Sequence, residues 1–110
     1  MMKLAMSPAA AALLRSLLNR AGVERSRILL SDFRSVDWQS LTFVGERHEI
    51  ELRIPGPDAG AVGERIHARL AEDELDIPGH VVADIQLART PAHHRDGAIT
   101  LEIEALTIAV

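Results

Sequence analysis

His48 is the residue whose chemistry its neighbours do not explain. It lies in the stretch QSLTFVGERHEIELRI, Gln39 to Ile54, on the same alternation as Ile50, Leu52 and Ile54. An imidazole placed among apolar side chains has two uses. It can move a proton or hold a ligand near neutral pH. It can also stand at the edge of a core, its ring nitrogens satisfied by a backbone or carboxylate partner. Trp38, the sole indole, precedes it, and Arg47 adjoins it. A lone Trp serves either as a hydrophobic plug at a strand turn or as an interface anchor, and Arg47, like Arg34, can meet an anion. Trp38, Arg47 and His48 form the candidate ligand-binding set.

Other clusters carry less. His93 and His94, followed by Arg95 and Asp96, make the most polar segment, ARTPAHHRDG. Adjacent side chains diverge, and a zinc site needs three or four ligands in defined geometry; His80 and Asp84 join only if the loop folds back, which nothing in the spacing requires. No metal ligand is assigned. The Gly56 to Gly63 stretch, GPDAGAVG, precedes a helix but fails the phosphate-loop and dinucleotide spacings, and Asp58 repels phosphate. No Gly-x-Ser-x-Gly occurs. Glu49, Glu51, Glu102 and Glu104 alternate outward as a solvated face with Arg47 and Arg53. An acid–base pair needs one carboxylate in a desolvating pocket, so no catalytic residue and no cofactor is assigned.

The elements around these residues belong to one domain of 110 residues. The 47% apolar content suffices for a core, and with 3% aromatic residues that core is aliphatic. There is no cysteine, which excludes disulfides and thiolate chemistry and suits a reducing cytoplasm. A net charge of −4, with arginines dispersed among carboxylates, disfavours nucleic acid as a partner. The apolar run Ala9–Leu14 is short and is broken by Arg15, so neither a signal peptide nor a membrane span is expected.

Residues 1–6 read as a flexible lead. Ser7-Pro8 starts a helix with an Ala10, Leu13, Leu14, Leu17, Leu18 stripe, which Ala21-Gly22 stops. Arg27–Ser35 reads as a strand with Ile28 and Leu30 on one face and Leu29 and Phe33 on the other. Val36-Asp37-Trp38 reads as a turn. Leu41 to Val44 and His48 to Ile54 then read as two strands folded back at Gly45-Glu46-Arg47. Pro55-Gly56-Pro57 ends the second, and Asp58 caps a helix carrying Val62, Ile66 and Leu70, in which Gly63 allows close packing on a sheet. Arg69 and Asp73 are spaced to pair on it. Val81–Leu87 is the next strand. Asp96-Gly97 supplies turn chemistry, and a last strand starts at Ala98, its apolar parity shifting to Leu106 and Ile108 as though by a bulge near Ala105. The order is α-β-β-β-α-β-β. It predicts an α+β two-layer sandwich: a mixed, mainly antiparallel sheet of about five strands, order 1-2-3-5-4, both helices on one face, and the last strand inserted to give a split β-α-β element.

Arg34-Ser35-Val36-Asp37-Trp38-Gln39-Ser40-Leu41-Thr42-Phe43 and Gly45-Glu46-Arg47-His48, with Asp76-Ile77-Pro78-Gly79-His80 and Leu106-Thr107-Ile108, resemble short, uncharacterised bacterial proteins. That resemblance spans most of the chain and implies no activity. The β-α-β-β half resembles ferredoxin-like regulatory domains, including the cytoplasmic domains of cation-efflux transporters, in architecture but without a ligand motif. The expectation is a non-enzymatic interaction module that self-associates as a homodimer through a sheet edge or face. The competing expectation is an anion- or small-molecule-binding or enzymatic domain with a pocket near Trp38 and His48.

Overall fold

The computed structural model describes residues 6–20, 25–70, 75 and 77–110. The lead before Met6, the Ala21-Gly22 stop and the Arg69–Asp73 pair rest on residues outside those described. Helix α1 spans Pro8–Arg20. Ser7 caps it as its hydroxyl chemistry requires, accepting from the Ala10 amide at 3.1 Å, while Pro8 occupies a position that needs no donor. After a single 3-10 turn at Arg25–Arg27 come β1 (Leu29–Gln39), β2 (Val44–Ile54), α2 (Ala59–Leu70), β3 (His80–Leu87), the short β4 (Ala92–His93) and β5 (Ile99–Ala109).

The sheet runs β1-β2-β5-β3, with β4 also on β5, and every pairing is antiparallel. β5 therefore lies between β2 and β3, the two strands that α2 connects, which is the split β-α-β arrangement. Alternation sends Ile50, Leu52 and Ile54 of β2 and Ile99, Leu101 and Ile103 of β5 to one face, all buried. Leu13 and Leu17 of α1 and Val62 and Ile66 of α2 close over them in a single cluster. Both helices thus share one face, and the result is a two-layer α+β sandwich. Each such Leu or Ile contributes about 1.5–3 kcal/mol of burial, so the aliphatic core holds the layers together without stacked rings.

Three local expectations are corrected. β1 does not end at Ser35. It continues through Val36-Asp37-Trp38 to Gln39, and the reversal is a tight hairpin at Ser40–Phe43, closed by the Ser40 amide on the Phe43 carbonyl at 2.9 Å. Gly45-Glu46-Arg47 is strand, facing Trp38, Asp37 and Val36 in register. Second, a bulge at Ser31 brings Leu30 and Phe33 to the same face, the former opposite Leu52 and the latter opposite Ile50. Third, β5 has no bulge near Ala105. It pairs with β2 without a break from Ile99 to Ile108, and its inward positions remain odd-numbered through Ala105 and Thr107. The irregularity lies in β3 instead, at Ala83.

The polar connection does form a hairpin tip. His94 accepts from the Gly97 amide at 3.0 Å, Gly97 takes a positive φ, and Asp96 accepts from the Ala98 amide and pairs with Arg53 at 2.9 Å. Asp58 precedes α2 as expected, but its carboxylate is taken by Arg27.

Candidate functional site

The inward face of the sheet turns polar at the end nearest the hairpin. There β1, β2 and β5 present Ser35, His48 and Thr107 to one another. Ser35 Oγ lies 2.7 Å from His48 Nδ1, and Thr107 Oγ1 lies 2.8 Å from His48 Nε2. His48 and Thr107 are both 0% exposed. A neutral imidazole has one N–H and one lone pair, so one hydroxyl accepts from the ring and the other donates to it. Both nitrogens are satisfied, and no buried side-chain polar atom among the described residues is left without a partner. The histidine is therefore a core-edge residue, held by hydroxyls of the two flanking strands.

Glu46 continues this inward row next to His48. Its carboxylate accepts from Ser7 Oγ at 2.8 Å, so one serine hydroxyl serves both the first turn of α1 and β2. No acidic side chain lies in the first turn of α1 itself; Glu46 places a negative charge at this positive helix end from the adjoining layer. Burial pushes the His48 imidazole below its ordinary value, the Glu46 charge pulls the other way, and His80 adds to the fall. His80 itself donates from Nδ1 to the Pro78 carbonyl at 3.1 Å. The arrangement stores a neutral histidine and clamps three strands.

Trp38 and Arg47 stand on the other face. Register pairs Ser35 with His48, and three residues later along the unbroken strand Trp38 points away from the helices. Trp38 faces Gly45, and Arg47 faces Val36. The sheet thus separates Trp38 and Arg47 from His48, and the three expected site residues do not line one pocket. Gly45 is constrained by packing: a Cβ there would fall on the Thr107 carbonyl oxygen. The Trp38-Gly45 row continues through Ile108 to Val81, and the next runs Val36-Arg47-Leu106. Apart from Arg47, these two rows of the uncovered face are apolar.

Farther along that face the carboxylates oppose one another, Glu49 against Glu104 and Glu51 against Glu102. Arg89 reaches Glu102 at 2.8 Å, and Arg34 faces Glu49. On the helix side, a groove of about 580 Å³ between α2 and β4 is bordered by Gly60, Glu64, His67, Pro91, His93 and Leu101. His93 lies on that groove, whereas His94 turns back to Thr100 at 2.7 Å, so the adjacent histidines diverge. His80 is at the opposite end of β5. Among the described residues no group of three or more potential ligands is placed to hold a metal ion, and no helix is long and apolar enough to cross a membrane.

Sequence reasoning singled out His48 and read Ser7 as a helix cap, but missed Ser35, Glu46 and Thr107 and the link from Ser7 to Glu46. Thr107 was detectable, since it holds the inward parity of β5 beyond Ala105. Comparison with protein-family models, with curated proteins and with solved structures finds no match for this chain.

Proposed function

We propose that this protein is a small non-enzymatic interaction module of a bacterial cytoplasm that associates with a second copy of itself through the β1 side of its sheet. One observation carries the reading. β1 is 11 residues long, ends the sheet, and has no buried residue. Its outward side chains include Leu29 and Val36, at 49% and 42% exposure, with Trp38 beyond them. A strand with free amides on one edge and apolar side chains on its uncovered face is a template for pairing. The other edge is less suited, because β3 is kinked at Ala83. The absence of cysteine is consistent with a reducing compartment.

The test is the mass by light scattering from low to high micromolar concentration. A doubling of the monomer mass is expected, and a monomer throughout overturns the reading. The alternative, a ligand pocket joining Trp38 with His48, has less support because those residues occupy opposite faces of the sheet. Arg47 beside Trp38 is the part of that reading still open to solvent. A metabolite-induced thermal shift abolished by Arg47→Ala would favour it.

A further inference from the structure

We infer that the second copy docks antiparallel on β1 with the two-fold axis at Val36, joining the two sheets into one. The inference rests on the self-association proposed above and specifies its register.

Hydrogen-bond phase supplies the first constraint. The Ser40 amide bonds the Phe43 carbonyl, which makes that a hydrogen-bonded pair. Such pairs alternate along an antiparallel ladder. Asp32, Arg34, Val36 and Trp38 therefore spend their amides and carbonyls on β2, and Phe33, Ser35, Asp37 and Gln39 direct theirs to the free edge. A symmetric partner must match these odd residues with odd residues. The two-fold axis can then lie only on a single residue of the strand.

Side chains choose among those positions. An axis at Phe33 brings Asp32 opposite Arg34, but the ladder runs into the bulge at Ser31 after two residues. Axes at Arg34 and Asp37 set like charges against each other. An axis at Ser35 places the Asp37 carboxylate against a Phe33 ring. Only the axis at Val36 avoids all of these and uses the whole regular run Phe33–Gln39. There Val36 meets the partner's Val36, and Arg34 lies across from the partner's Trp38, a cation over an indole. On the helix side, Ser35 meets the partner's Asp37.

That last pairing draws on two features of the single chain. Asp37 faces Glu46 in the sheet, an opposition of like charge. Ser35 Oγ lies 2.7 Å from His48 Nδ1. In the pair, Ser35 accepts from Nδ1–H and donates its own proton to the partner's carboxylate, which leaves Nε2 to accept from Thr107. The apolar ends of the two uncovered faces, each with Val36 and Trp38, also become continuous.

The chain has no cysteine, so single cysteines report the register directly. Val36 in this pair is a non-hydrogen-bonded position, with Cα atoms about 4.5 Å apart, within disulfide reach. Phe33→Cys, Arg34→Cys, Ser35→Cys, Val36→Cys and Asp37→Cys would each be oxidised mildly and run on a non-reducing gel. Val36→Cys should give the dominant cross-linked dimer, with Arg34→Cys largely monomeric. Val36→Thr, which keeps the β-branched shape, controls by light scattering for loss of fold or of the apolar contact. A maximum at another position overturns the register while the self-association reading stands. Dimers by light scattering with no cross-link at any position place the interface elsewhere. Monomers throughout overturn both.

Discussion

His48 and Thr107 touch at 2.8 Å across β2 and β5, though 59 positions separate them in the chain. The contact fixes how far the two strands must slide before they lock. A one-residue slip would carry Thr107 to the solvent face and leave the imidazole among aliphatic groups.

Thr107→Val keeps the shape and removes the hydroxyl. His48 Nε2 then loses its partner inside the core, and stability should fall by about 1–3 kcal/mol. Urea denaturation at pH 7.5 measures this. A change within a few tenths would mean that water replaces the hydroxyl.

Acid should weaken the fold in two windows. An unfolded imidazole titrates near 6.5, whereas burial holds His48 lower in the folded protein. As pH falls below about 6.5, the unfolded chain takes the proton first, so stability is lost until the folded value is passed; above 6.5 this contribution is fully present. The melting temperature should decline from pH 7 to 5, and His48→Gln should flatten that decline. An unchanged slope in the variant would assign the titration to a group other than His48. Asp58 and Asp96 act in a lower window. The Arg27 guanidinium and the Ala98 amide, respectively, hold their carboxyls below the ordinary 3.8, so their contribution is lost only as pH falls below that value.

Two glycines should respond oppositely to the same substitution. At Gly63 an added Cβ finds Ile99 at 3.8 Å and Ile54 at 3.9 Å, ordinary contacts, so Gly63→Ala should stabilise by about 0.5–1 kcal/mol through helix propensity. At Gly45 the added carbon meets backbone that cannot swing aside, so Gly45→Ala should cost about 2 kcal/mol or more. Thermal melts of the pair settle both signs.

The opposed carboxylates of the uncovered face offer a gain. Glu104→Lys replaces a like-charge pairing with Glu49 by an attractive one, for about 0.2–1 kcal/mol, and the gain should shrink in high salt. Equal gains with and without salt would point to a cause other than charge.

Alternation in Ile50–Ile54 and Ile99–Ile103 was readable in the sequence, because one buried face imposes a period of two wherever the inward residue is aliphatic. The same rule misled where inward residues are polar. Thr107 serves His48, so Leu106 and Ile108 on the outer face looked like a change of parity. Gly45-Glu46-Arg47 has the composition of a turn, but its glycine is there for strand separation. The real turn carries Leu41 and Phe43, whose exposure of 104% and 56% no local pattern announces. The candidate site was legible as a single histidine. One hydroxyl partner, Ser35, depends on where the β1–β2 hairpin turns, and the other, Thr107, on a register set by β5, which lies far along the chain.

The central position of β5 also dictates the order of events at the ribosome. β2 and β3 leave the exit tunnel before the strand that must lie between them. Until β5 is made, a β1–β2 hairpin has a second open edge on β2, and the polar row at His48 lacks Thr107. Closure then requires a late, long-range insertion, which slows folding. For that interval the nascent chain offers neighbouring chains an edge that the finished protein hides.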